Sequence, residues 1–370
     1  MNSTDKVYNL AVAGVQQLVP YKAGKPIEEL ERELGLTQVI KLASNENPLG
    51  PGKKALAAIQ ATLPALALYP DGSGFTLKQA LAEKYAVDVG QITLGNGSNE
   101  ILELVARAFL TPEHEVVFSQ HAFAVYPIVT QAVGATAVVA PALNYGHDLD
   151  AMLQAVTEKT RLVFIANPNN PTGTLVSQAS LERFISALPD TCVCVLDEAY
   201  FEFVSSVESI NSIDWLIKFP NLLITRTFSK AYGLAGLRIG YGLSSPQLAD
   251  ILNRVRQPFN NNTLALVAAE AALTDDGHLQ QTITVNTLGM QQLTDGFKNL
   301  GLEWIPSAAN FVLVDLKQDG QPVYEALLRK GVIVRPVGVY ELPNHLRISI
   351  GTAAENKVFL QALTVTLVNV

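Results

Sequence analysis

Along most of the chain, short apolar runs alternate with stretches in which apolar residues recur at helical spacing. Residues 162–166 (Leu-Val-Phe-Ile-Ala) and 193–196 (Val-Cys-Val-Leu) carry no polar side chain, the pattern of strands covered on both faces of a parallel sheet. Further strands are predicted at 92–94, 115–118, 137–139, 222–227 and 239–243. After the first of these, Ile101, Leu104, Val105, Ala108 and Phe109 form one apolar stripe of a helix. This alternation predicts an α/β fold with a mixed, mostly parallel sheet sandwiched by helices. Beyond residue 265 a long helical stretch leads to strands at 311–315, 332–335 and 346–350 around a helix at 323–330, a smaller C-terminal α/β domain. Residues 1–45, broken by Pro20, Gly24, Pro26 and Gly35, read as an arm and a first piece of that smaller domain. The expected division is therefore 1–45, 46–265 and 266–370.

Composition narrows the function. The 370 residues suffice for two cores, and 48% hydrophobic against 16% charged excludes a disordered chain. A net charge of −8 argues against a nucleic-acid binder, which needs a basic face to neutralise phosphates. It leaves room for a small anionic ligand, for which a few local arginines suffice. No apolar stretch reaches the ~18–20 residues of a membrane span, and the start of the chain lacks the character of a signal peptide. Cys192 and Cys194, two apart in a predicted strand, share a face, but no further Cys or His lies nearby to complete a metal site. They read as small buried hydrophobes of a protein in a reducing cytoplasm. His114, His121, His147, His278 and His345 are scattered, and neither HExxH nor GxSxG occurs. Zinc-enzyme and serine-hydrolase readings fall away, and no metal is expected.

Ligands of open α/β sheets bind at the carboxyl ends of the strands, so the residues just after each strand carry the chemistry. They are 95–100, 167–173, 197–200 and 227–230. Gly95-Asn-Gly97-Ser98-Asn99-Glu100 opens a helix, where backbone N–H groups and the helix dipole favour a phosphate; an ordinary helix start has the same look. No GxxxxGK[ST] occurs, and the last glycine of GxGxxG is replaced by Glu100, against P-loop and dinucleotide sites. Asp197 follows an apolar strand, where a carboxylate needs a cationic partner. With Glu198 it has the form of an acidic pair, or it faces a protonated ring nitrogen, with the Tyr200 hydroxyl close by. Lys230 is a surface lysine or a Schiff-base amine. Phe228, Ala231, Tyr232 and Leu234 around it would lower its pKa and free the amine for covalent chemistry. Arg238, Thr227 and Ser229 could together hold a phosphate.

In order and spacing, Asn167-Pro-Asn-Asn-Pro-Thr-Gly173, Asp197-Glu-Ala-Tyr200, Ser229-Lys230 and Gly236-Leu-Arg238-Ile-Gly-Tyr resemble the motif series of aspartate-aminotransferase-like, fold-type I pyridoxal 5′-phosphate enzymes. The resemblance covers nearly the whole chain. It implies a Schiff base between Lys230 and the cofactor, with Lys230 also shuttling a proton. Asp197 would pair with the pyridine nitrogen, and Asn170 and Tyr200 would bond the ring's phenolic oxygen. Gly97, Ser98, Asn99, Thr227, Ser229 and Arg238 would hold the phosphate, and Phe123 would stack on the ring.

Within that family, Val19-Pro-Tyr21-Lys-Ala-Gly-Lys-Pro, Leu42-Ala-Ser-Asn-Glu-Asn-Pro48, Tyr69-Pro-Asp, Val334-Arg335-Pro and Leu346-Arg347-Ile-Ser are similar to the histidinol-phosphate aminotransferase subfamily. This implies a homodimer in which Tyr69 reaches the neighbouring cofactor's phosphate, and a substrate pocket of Tyr21, Asn47, Arg335 and Arg347. One pocket would take a phosphate and a dicarboxylic acid in turn, which two arginines can do. The implied reaction is ping-pong exchange of an amino group between histidinol phosphate and 2-oxoglutarate. The run His121-Ala-Phe123-Ala-Val-Tyr departs from the Pro-Thr-Tyr type found in many members and bears on substrate range. Rival readings are an aromatic-amino-acid aminotransferase and a pyridoxal-phosphate-dependent decarboxylase of threonine phosphate.

Overall fold

The computed structural model describes residues 3–21 and 24–369; Lys22 and Ala23 of the 19–26 run lie outside the described residues. Seven strands build the central sheet: β1 (Ile92–Gly95), β2 (Glu115–Ser119), β3 (Thr136–Ala140), β4 (Thr160–Ala166), β5 (Val193–Asp197), β6 (Leu222–Thr227) and β7 (Gly240–Ser244). Their order is β1-β7-β6-β5-β4-β2-β3. Neighbours pair parallel except at β7, which runs antiparallel to both β1 and β6. The pattern of apolar runs did not distinguish this reversal. Its cause lies in the connection 228–239, which holds only the 3₁₀ turn Ala235–Leu237 and no crossover helix, so the chain returns against β6.

Strand alternation divides the core into two layers. Leu162, Phe164, Val195 and Leu223 face one side, against Ile101, Leu102 and Val105 of α1 (Ser98–Phe109). Val163, Ile165, Cys194, Leu196 and Ile224 face the other. Each fully buried side chain of this size contributes about 1.5–3 kcal/mol. Both cysteines are free thiols buried in this core.

A second core lies on an antiparallel four-stranded sheet of β8 (Glu303–Ile305), β9 (Phe311–Asp315), β10 (Arg335–Pro336) and β11 (His345–Ser349), in the order β8-β9-β11-β10. Helices α2 (Asp276–Asn299), α3 (Gly320–Arg329) and α4 (Ala353–Asn369) supply Leu293, Phe297, Val323, Leu327, Phe359 and Leu363 to it. The single strand expected at 332–335 is two. Val332–Ile333 pairs in parallel with Ile40–Lys41, while β10 turns to β11. Residues 40–42 are thereby stitched to this sheet, with Leu42 donating to Ile333 O and accepting from Ser349 N. Among the described residues no helix is long and apolar enough to cross a membrane, and no group of three His, Cys, Asp or Glu side chains is placed to hold a metal.

Candidate active site

Because β1, β4, β5 and β6 run parallel, their carboxyl ends share one edge of the sheet. Antiparallel β7 begins at that same edge, Gly240 standing opposite both Gly95 and Thr227, and this brings in Arg238. A cavity of about 260 Å³ opens there. Its wall includes Tyr21, Ser98, Asn99, Phe123, Asn170, Asp197, Tyr200, Thr227, Ser229, Lys230, Arg238, Arg335 and Arg347. Thirteen residues singled out in the sequence thus meet at one place, drawn from both sheets and from the N-terminal segment.

Asp197 ends β5 buried. Its Oδ1 accepts from Thr225 Oγ1 (3.0 Å) and its Oδ2 from Tyr126 Oη (2.9 Å). Burial nevertheless holds its carboxyl above the ordinary carboxylate range, because those two bonds do not replace full hydration. Lys230 projects its amine across the cavity, donating to Ser44 O at 3.1 Å. Burial pushes this amine down to about 8; Arg347 and Arg238 add to the effect, opposed by Glu46 and Asp197. Arg238 donates through Nη1 to Ser229 Oγ (3.3 Å) and Ala235 O (3.1 Å). Its guanidinium lies over Gly97, where a Cβ would stand 2.3 Å from Nη2; only glycine leaves it room. Gly97 therefore backs the cradle without lining the cavity.

On the opposite wall, Arg347 of β11 is buried. It donates to Asn170 Oδ1 (2.5 Å) and Ala43 O (2.8 Å), and its Nε has no partner. Among the described residues no carboxylate pairs with Lys230, Arg238 or Arg347. Arg335 stands directly across the strand pair from Arg347 and donates to Tyr21 Oη at 3.4 Å. Like charges facing each other across a sheet repel, so this pairing marks a place built for an anion. Among the described residues the cavity thus offers one buried carboxylate, Asp197, with no cation paired to it, and three cations, Lys230, Arg238 and Arg347, with no carboxylate paired to them. That is the complement of a ligand with a protonated ring nitrogen and a phosphate, together with an anionic second ligand.

Two expected residues lie elsewhere. Asn47, expected in the substrate pocket, is turned away from the cavity. Its Nδ2 donates to Ala231 O (2.9 Å) and Thr282 Oγ1 (3.0 Å), and its Oδ1 accepts from Leu49 N. With all three bonds satisfied in the scaffold, it joins Lys230's loop to α2, and Asn45, two residues earlier, faces the cavity instead. Tyr69 also lies outside; it is 83% exposed and stacked on Phe259 with ring centroids 4.9 Å apart. The sequence reading missed Asn45, Tyr126 and Tyr340. Asn45 and Tyr126 sat inside runs already noticed, but only the folded chain aims Tyr126 at Asp197.

The alternative reading of Asp197 and Glu198 as an acidic pair fails, because the strand pleat turns the two side chains apart. Glu198 points away from the cavity into a salt bridge with Arg226, Nε and Nη2 both 2.8 Å from Oε2 and each side chain 2% exposed. Phe201 covers the guanidinium at 3.7 Å from its ring centroid. Arg226→Met should lower unfolding free energy by about 3–5 kcal/mol, because it strands the Glu198 charge. Denaturant unfolding of both proteins measures this; an unchanged midpoint would mean the pair is dispensable.

The chain matches the family model of aminotransferases of class I and II over residues 37–363, and it belongs to that family. It is 59% identical over 360 residues to histidinol-phosphate aminotransferase 2 of Pseudomonas fluorescens, covering 97% of each chain. It is 60% identical over 356 residues, 96% of each chain, to the protein of the same name from Pseudomonas aeruginosa. Among solved structures it resembles histidinol-phosphate aminotransferase from Sinorhizobium meliloti in complex with pyridoxal-5′-phosphate, with 32% identity, a TM-score of 0.91, and 97% and 98% of the two chains covered. The fold is the aspartate-aminotransferase-like, fold-type I architecture expected from the sequence.

Proposed function

We propose that this protein is a pyridoxal 5′-phosphate-dependent aminotransferase that exchanges an amino group between histidinol phosphate and 2-oxoglutarate, giving imidazole acetol phosphate and glutamate. The observation that carries the substrate assignment is the cross-strand pair Arg335 and Arg347 beside Tyr21, together with full-length relatives of that name. Two facing guanidinium groups suit ligands that are anionic at more than one point, as both substrates are.

The cofactor's ring would lie against Phe123, its nitrogen toward Asp197 and its phenolic oxygen toward Asn170 and Tyr200. Its phosphate would be held by Ser98 and Asn99 at the start of α1 and by Thr227, Ser229 and Arg238. Bound there, it supplies an electron sink that acidifies the hydrogen on the substrate's Cα. The chain's own residues do the rest. Asp197 keeps the ring nitrogen protonated, Arg347 orients the substrate carboxylate, and Arg335 with Tyr21 takes the phosphate or the distal carboxylate. Lys230, once free, carries the proton from Cα. We further assign the protein to the cytoplasm as a homodimer in which exposed Tyr69 serves the partner's site. Residues 46–265 would form the cofactor-binding domain, and the arm 1–45 and residues 266–370 the smaller part.

Rates with 2-oxoglutarate and either histidinol phosphate or phenylalanine test the assignment. We expect kcat/KM at least about 10²-fold higher for histidinol phosphate, since phenylalanine brings no second anionic group to the Arg335 and Tyr21 side of the pocket. A preference for phenylalanine would move the protein to the aromatic class, and carbon dioxide release from threonine phosphate without 2-oxoglutarate would make it a lyase.

A further inference from the structure

Segment 43–45 touches three residues of the cavity. Ala43 O accepts from Arg347 and Ser44 O from Lys230, and Asn45 reaches Tyr200. Asn45 is 1% exposed and lies in the left-handed region at φ 56°, which Asn tolerates better than most residues. Its own carbonyl accepts from Asn310 Nδ2 at 3.0 Å.

The hydrogen bonds around Asn45 have a direction, because one of them starts at an atom that can only donate. The Asn45 backbone N–H gives its proton to Ser349 Oγ (2.8 Å). The Ser349 hydroxyl then donates to Asn45 Oδ1 (3.0 Å). The remaining end of the amide is its NH₂ group, which donates to Tyr200 Oη (2.9 Å). Turning the amide over would aim a second donor at Ser349 Oγ and leave the serine proton without its acceptor. Tyr200 thus receives a hydrogen bond from behind, and its own proton is left for the cavity.

We infer that Asn45 and Ser349 are positioning residues that fix the direction of the Tyr200 hydroxyl, so that it donates into the cavity to the ring oxygen of the cofactor. This rests on the cofactor placement proposed above. The groups facing Tyr200 are Lys230, whose Nζ is 5.6 Å from the ring centroid, and Arg347, Asp197 and Tyr340. Burial pushes the phenol up to about 12, so it keeps its proton at neutral pH. Ser349 stands two residues beyond Arg347 on β11 and shares its face. The strand that carries Arg347 therefore also carries the hydroxyl that links the Asn45 backbone N–H to the Asn45 side chain and so to Tyr200.

The test is a pH titration, without substrate, of the absorbance of pyridoxal phosphate linked to Lys230, in the wild type and in folded variants. A donor to the phenolic oxygen makes that oxygen less basic, so losing it moves the colour transition to higher pH. Ser349→Ala and Asn45→Gly, both neutral and the second compatible with positive φ, should each raise the transition by about 0.5–1 pH unit. Tyr200→Phe should raise it at least as far, and Ser349→Thr, which keeps the hydroxyl, should restore the wild-type value. In the Tyr200→Phe background, Ser349→Ala should add nothing, since its effect passes through Tyr200. A wild-type titration in Ser349→Ala, or a shift that persists in full without the Tyr200 hydroxyl, would overturn the inference and leave the cofactor assignment standing. Absence of a Lys230-linked band in the wild-type protein would overturn both.

Discussion

Lys230→Ala is expected to lower amino transfer from glutamate by at least about 10⁴-fold, equivalent to about 5.4 kcal/mol of transition-state stabilisation, and to abolish covalent attachment of the cofactor. The loss is large because Lys230 contributes two things at once, the nucleophilic nitrogen and the base positioned for the proton on Cα. Among the described residues no other amine lines the cavity, and the neighbouring cations are arginines, which do not give up a proton at working pH. Single-turnover kinetics with glutamate measure the first effect, and borohydride reduction followed by peptide mass analysis the second. Retained turnover in the variant would remove Lys230 from the chemistry. The wild-type amine also sets a pH dependence. With its pKa lowered to about 8, it is protonated and inert below that value and nucleophilic above it. The initial rate of covalent cofactor attachment to cofactor-free protein should therefore rise about tenfold per pH unit between pH 6 and 8 and level off beyond. A rate still climbing steeply at pH 10 would mean that the amine titrates as an ordinary lysine.

Arg347→Gln should raise KM for glutamate by about 30- to 4000-fold, the equivalent of 2–5 kcal/mol for truncating one side of a buried, hydrogen-bonded charge pair. The same change should leave the ligand-free protein nearly as stable as the wild type, within about 1 kcal/mol. These outcomes separate because Arg347 sits buried without a carboxylate and with Nε unpartnered. Its burial already lowers its pKa, a sign that the charge is uncomfortable until an anion arrives. Glutamine gives up the bonds to Asn170 and Ala43 in part but also relieves the desolvation of the guanidinium. Titration calorimetry with 2-oxoglutarate and thermal unfolding without ligand test the two halves. A large stability loss with unchanged substrate binding would make Arg347 a structural residue.

The limits of the sequence reading follow from the kind of signal each feature leaves. The apolar runs at 162–166 and 193–196 announced buried parallel strands because a strand covered on both faces has no polar position to spare. The same logic placed Asn170, Asp197 and Lys230 after strand ends, where a parallel sheet must gather its loops. Asn47 shows the opposite case. It and Asn45 are the same residue type two positions apart in one motif, and nothing local says which faces the cavity. The choice was made by a positive φ at Asn45 and by partners 150 or more residues away.

By itself, then, the chain determined the α/β class, the strands whose ends meet, and the residue types that collect there, because burial and alternation are written locally. Only the tertiary structure decided that β7 runs backward and delivers Arg238, that Glu198 turns from the cavity to Arg226, and that Arg335 faces Arg347. It alone also ordered Asn45, Ser349 and Tyr200 into one directed chain. Each of these depends on register and reach between distant segments, which periodicity along a single strand or helix does not encode.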